Sequence, residues 1–196
     1  MEPHEKEFLL KLARDTIELW AREGKRYVLK DCPDQYKEPR GVFVTIHTWP
    51  EQELRGCIGY PEPVFPLALG VINAAIQACS DPRFEYFRAE ELDRSVIEVS
   101  VLSKPELMEV TDPEDYKKKI NIGRDGLIVQ RGVFKGLLLP QVASQHGLDI
   151  HEFLIECCLK AGLPPTAWME PKTQVFKFQA DVFGEKKPGV TGIKKS

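Results

Sequence analysis

Two β-branched, alternating segments lie so close together in the chain that only one pairing is open to them. Gly41-Val42-Phe43-Val44-Thr45-Ile46-His47 sets Val42, Val44 and Ile46 on one face, and Leu54 to Tyr60 follows directly after the turn-like stretch Thr48 to Gln52. A parallel partner needs a crossover of about a dozen residues or more, so this link predicts an antiparallel hairpin. Glycines 56 and 59 weaken the second strand. A third segment, Val96 to Leu102, carries Ile97, Val99 and Val101 on one face, and Glu98 and Ser100 on the other, a polar face suited to line a cleft.

Helices separate these strands at irregular intervals. Phe8, Leu9, Leu12, Ile17 and Trp20 recur at helical spacing between Glu5 and Arg22, with Gly24 where a C-terminal cap belongs. Val64 to Ala78 reads as a buried helix that must stop near Asp81-Pro82. Asp112-Pro113 opens a short helix, Leu127 to Leu139 reads as a hairpin ended by Pro140, and Ile150 to Ala161 is a helix with Asp149 and Glu152 as a capping box. A last strand runs from Thr173 to Phe183. The order predicts an α+β fold with an antiparallel or mixed sheet flanked by helices.

The 196 residues suffice for one compact domain over 1–185, whether as a single body or as two lobes, followed by a loose basic tail over 186–196. With 42% apolar and 29% charged residues the chain is an ordinary globular one, and a net charge of -3 makes nucleic acid a poor partner. The polar start and the interrupted apolar stretch 64–78 predict neither an export signal nor a membrane span, hence a cytoplasmic protein. The five cysteines have no framework spacing and read as reduced thiols; no Cys-x-x-Cys or His-x-x-x-His suggests zinc. No phosphate-cradling loop, Ser/His/Asp pattern or cofactor fingerprint is present, so no cofactor is assigned.

Leu54-Arg55-Gly56-Cys57-Ile58-Gly59 resembles the signature of the AMMECR domain family, and Asp81-Pro82-Arg83-Phe84, Val99 to Ser103, Leu139 to Ala143 and Lys160 to Pro164 follow in that family's order. The resemblance runs over nearly the whole chain and extends to the protein-A-like members of the AmmeMemoRadiSam system. It implies an α+β fold described as two unequal lobes around a cleft, no established activity, and a pathway shared with Memo-like and radical-SAM proteins, whose genes lie nearby in many microbial genomes.

Alternation along a strand points Arg55 and Cys57 the same way, roughly 7 Å apart, where a guanidinium would favour a thiolate. Leu54 and Ile58 then face the core, while Gly56 and Gly59 admit another backbone or a ligand. Against this stands the simpler reading of Cys57 as a small buried hydrophobe with Arg55 paired to a carboxylate. Arg83 is either an anion anchor at the same cleft or an exposed residue of a helix-stopping turn. His47 is either a base for Cys57 across the hairpin or a satisfied strand residue. Gln141 after Pro140 places an amide at a strand end or belongs to a plain turn; His146 and His151 match no ligand spacing, and Cys157-Cys158 suits core packing. Two functions remain open: an enzyme or accessory subunit handling a small anionic metabolite at an Arg/Cys cleft, and a non-catalytic module that binds a partner protein.

Overall fold

The structure, a computed structural model, describes residues 1–190. It is α+β: α1 (Pro3–Glu23), β1 (Val42–Thr48), β2 (Leu54–Tyr60), α2 (Leu67–Ala78), β3 (Ser95–Leu102), β4 (Glu106–Leu107), α3 (Tyr116–Lys119), β5 (Asp125–Arg131), β6 (Phe134–Leu138), α4 (Pro140–His146), α5 (Ile150–Lys160) and β7 (Gln174–Gly184). Among the described residues no helix is long and apolar enough to cross a membrane. The chain divides into two compact units, one of residues 1–102 together with the segment from Asp181 onward, the other of residues 103–180.

In the first unit β1 is the central strand, antiparallel to β2 on one side and to β3 on the other, so β2 is an edge. Val42, Val44 and Ile46 of β1 and Ile97, Val99 and Val101 of β3 are buried in one core with Leu9, Leu10 and Ile17 of α1 and the alanine-rich face of α2. That is the face predicted from alternation. The returning end of the chain is fastened to α1 by charge: Lys6 Nζ meets Asp181 at 2.5 Å, and the guanidinium of Arg14 grips the carboxylate of Glu185, both residues being more than nine-tenths buried. Past Glu185, Lys187 and Val190 close a small turn over Gly189 with Val190 exposed; the rest of the expected tail, 191–196, lies outside the described residues. Truncation after Glu185 is therefore expected to shift the melting temperature by no more than a few degrees, whereas removal of Glu185 as well should lower it sharply.

The second unit pairs β5 antiparallel with β6 and with β7, and β4 antiparallel with β7. Its core gathers Leu127, Val129, Phe153, Leu154, Cys157, Cys158 and Val175. Here α5 approaches β6 so closely that a Cβ on Gly136 would lie 2.5 Å from the Cys157 carbonyl oxygen, so glycine is required by contact and not by backbone angle. The cap of α5 is as read from sequence: Asp149 accepts from the Glu152 N–H and Glu152 accepts from the Asp149 N–H, each at 2.9 Å. Asp149→Ala should cost about 1 kcal/mol in a denaturant melt. Pro140 does more than end a hairpin, since it occupies the first turn of α4, where its missing N–H is harmless.

Candidate functional site

The geometry of the signature segment departs from simple alternation. The register of β1 with β2 pairs Ile46 with Gly56 but His47 with Leu54, so Arg55 is the extra residue of a bulge. Its guanidinium is thereby carried to Glu91, with Nε to Oε2 at 2.7 Å and Nη2 to Oε1 at 3.0 Å, and lies 5.5 Å from the centre of the Phe87 ring and 6.0 Å from that of Phe84. The expected pairing of Arg55 with Cys57 is thus replaced by an arginine box of carboxylate and aromatic rings. The bulge also sets Leu54 opposite His47, on the face away from the core, where it is exposed; Ile58, opposite Val44, keeps the core face as expected and is half-buried on this edge strand.

Both signature glycines serve packing. A Cβ on Gly56 would sit 2.3 Å from the Ala78 carbonyl oxygen at the end of α2, and one on Gly59 would strike the Phe43 ring and the Val42 carbonyl oxygen, each at 2.4 Å. The neighbour admitted here is backbone at Gly56, and backbone and ring at Gly59. Gly56→Ala should destabilise by about 1–3 kcal/mol, read as a shift of the denaturant midpoint, because a carbonyl cannot step aside as a flexible side chain can.

The guanidinium that does reach Cys57 belongs to Arg83. Asp81, 2% exposed, accepts the backbone N–H groups of Cys57 and Arg83 at 2.9 and 3.1 Å, and holds the Arg83 side chain in a fork, Nε to Oδ1 at 3.0 Å and Nη2 to Oδ2 at 2.6 Å. Arg83 Nη2 also donates to the Cys57 carbonyl at 3.3 Å, while the side chain remains 57% exposed. The hydrogen bonds from Arg83 hold the Asp81 carboxyl far below the usual carboxylate range. The Asp-Pro-Arg-Phe segment is the expected turn, closed by Phe84 N–H to the Asp81 carbonyl, and its Arg83 is exposed with the guanidinium oriented by Asp81.

Across the sheet Cys57 pairs with Thr45 and Thr45 with Glu98, so the three side chains form one row on the face away from the helices. Thr45 Oγ1 lies 3.2 Å from Cys57 Sγ. Burial pushes the Cys57 thiol up, helped by Asp81 and Glu98, against the opposing effects of the Thr45 hydroxyl and Arg83. His47, two residues along β1, lies on the same face, and with Gln52, Glu98 and the returning segment Val182 to Glu185 it borders a cavity of about 230 Å³. Its Nδ1 is buried with no hydrogen-bond partner. Cys79 and Cys157, fully buried, have thiols pushed up to about 12 by desolvation. Gln141 is half-buried in the first turn of α4, in the second unit. No group of three or more His, Cys, Asp or Glu side chains among the described residues is placed to hold a metal ion.

Thr45 and Glu98 acquire their places beside Cys57 through register, and Asp81 through the turn that follows α2. Glu98 was marked by its polar strand face and Asp81 by the turn, whereas Thr45 carries no signal of its own.

The arrangement has relatives. The family model AMMECR1 matches residues 10–183. This chain belongs to the AMMECR1 family. It is 47% identical to Protein MJ0810 of Methanocaldococcus jannaschii over 92% of this chain and 90% of that protein, and 50% identical to Protein PH0010 of Pyrococcus horikoshii over 93% and 90%. The crystal structure of the uncharacterised protein PH0010 superposes with a TM-score of 0.87 at 47% identity, covering 100% of this chain and 98% of that one. The names of these AMMECR1 relatives specify no activity.

Proposed function

We propose that the first unit binds a small metabolite with an acidic group, non-covalently, along the Cys57, Thr45, Glu98 row. Arg83 anchors the acidic group: its fork to Asp81 fixes the guanidinium while more than half of the side chain stays open to solvent. Cys57 contributes a neutral thiol that borders the ligand without attacking it. His47 supplies a ring nitrogen for a hydrogen bond to the ligand, because its Nδ1 is buried at the cavity without a partner. That unpaired ring nitrogen is the observation that carries the proposal, since a buried polar atom is rarely left unsatisfied without a role. A place beside Memo-like and radical-SAM proteins belongs to the proposal on family resemblance alone.

Native mass spectrometry of the protein purified gently from its own cells tests this. The expected result is an adduct of metabolite size that denaturation releases and that is lost from both Arg83→Met and His47→Phe. An adduct-free protein, or one retained in both variants, contradicts it.

The second reading, a module that docks on another protein, draws on a different observation. At the β5–β6 turn Val133 is 93% and Phe134 51% exposed, and Leu159 of α5 is 50% exposed. Co-purification of one stoichiometric protein partner, abolished by Val133→Asp with Phe134→Asp, would favour that reading.

A further inference from the structure

The second unit contains a cavity of about 310 Å³ that the proposed site does not use. It opens where β4, the following loop, α3 and the start of β7 meet. Tyr116 and Trp168, packed edge to face at 6.1 Å between ring centres, form one wall with Met108. All three are at least 95% buried, so the wall is held rigidly by the unit's own core. Burial alone pushes the Tyr116 phenol up, which keeps that wall uncharged at neutral pH. The volume lies at the small end of the usual range for ligand pockets.

Polar groups converge on this wall in a particular way. Thr173 lines the cavity, is 7% exposed, and its hydroxyl is buried without any hydrogen-bond partner. A buried hydroxyl in that state retains its capacity to pair with a ligand's donor or acceptor. The charges at the opening have one sign: Glu109 and Glu170 line it, and among the described residues no Lys, Arg or His does. Glu170 is already neutralised by Arg131 Nη1 at 2.5 Å. At Glu109 it is the main-chain carbonyl that takes the Lys119 ammonium, at 2.6 Å, so the Glu109 carboxylate is the one to meet a ligand cation.

We infer that this cavity is a binding site for a small organic amine, its protonated nitrogen directed to Glu109, its apolar or aromatic body against Tyr116, Trp168 and Met108, and a hydrogen bond made with Thr173. An anion of the same shape would face the uncompensated Glu109 carboxylate and is disfavoured by the same geometry. The site belongs to the second unit and is independent of the reading proposed for Cys57, Arg83 and His47.

The test uses three probes of one shape, 2-phenylethylamine, 2-phenylethanol and phenylacetate, titrated into isotopically labelled protein while the Trp168 indole N–H is followed by NMR, its signal identified with Trp168→Phe. The amine is expected to shift that signal and to bind about tenfold or more tightly than either other probe, the difference one charge-assisted hydrogen bond makes. Glu109→Gln, at an exposed side chain that folding does not need, should erase the preference, and Thr173→Val should weaken the amine several-fold with unchanged melting. Should Thr173→Val melt early, Glu109→Gln decides alone. Equal binding of phenylacetate or phenylethanol, an unchanged preference in Glu109→Gln, or no shift with any probe at millimolar concentration overturns the inference.

Discussion

Replacing Arg14 by Met, or Glu185 by Gln, is expected to destabilise the protein by about 3–5 kcal/mol, the range observed when one partner of a buried ion pair is removed. Arg14 is 6% and Glu185 3% exposed, so neither charge can turn to water when its partner is lost. The pair is also a junction. Arg14 Nε donates to Glu185 Oε1 at 2.8 Å, Arg14 Nη2 donates to the Ser95 carbonyl at 2.9 Å, and the Ile97 N–H donates to Glu185 Oε2 at 3.0 Å. A single substitution therefore strands a charge and loosens β3 together with the returning segment. For a chain of this size the loss corresponds to a fall in melting temperature of roughly 6–20 °C. The double variant Arg14→Met with Glu185→Gln should lose less than the sum of the two single losses, because no charge is left stranded, though the Ser95 carbonyl still loses its partner. Chemical denaturation of the four proteins checks both statements.

Asp81→Ala is expected to cost about 3 kcal/mol and to disorganise the candidate site at the same time. The buried carboxylate organises two backbone N–H groups and one guanidinium, so its loss frees the Cys57 edge of β2 and unpins Arg83. The cost stays at the low end for a buried charge because Arg83, 57% exposed, is readily rehydrated. The pH dependence has a definite sign. Arg83 holds the folded carboxyl below its unfolded value of about 3.9, so its stabilisation is complete above that pH and is lost as pH falls toward the folded value. Asp125 and Asp181 are also lowered and act in the same direction. Stability should therefore decline below about pH 4, and the decline should be shallower in Asp81→Asn, measured as the denaturant midpoint from pH 7 to pH 3.

Much of this fold is legible in the chain because local signals agree. The short link between Ile46 and Leu54 demands a hairpin, Gly24 caps α1 with φ 63°, and Asp149 with Glu152 opens α5 where the structure begins it. The two-residue strand β4 and the helix α4 escape such reading, since so few residues carry no periodicity. The candidate site was legible as a segment but not as a constellation. One bulge residue at Arg55 exchanged the arginine beside Cys57, handing Arg55 to Glu91 and leaving Cys57 to Arg83, 26 positions further along. Alternation assumes an unbroken ladder, and the sequence marks the break only by a glycine at 56. The reason for that glycine, the approach of the Ala78 carbonyl, is a tertiary contact that no local pattern encodes.

Under the proposed function Cys57 serves a non-covalent site as a protonated thiol. Alkylation of the folded protein with iodoacetamide across a pH series, with each modified cysteine located by peptide mass, tests it most directly, in wild type and in Arg83→Met. Desolvation of Cys57 predicts slow modification at neutral pH, with Cys32 reacting first and Cys57 accelerating only above the free-thiol value of about 8.5. Fastest reaction at Cys57 near pH 7, slowed several-fold by Arg83→Met, would reveal an arginine-activated thiolate nucleophile and overturn the non-covalent site.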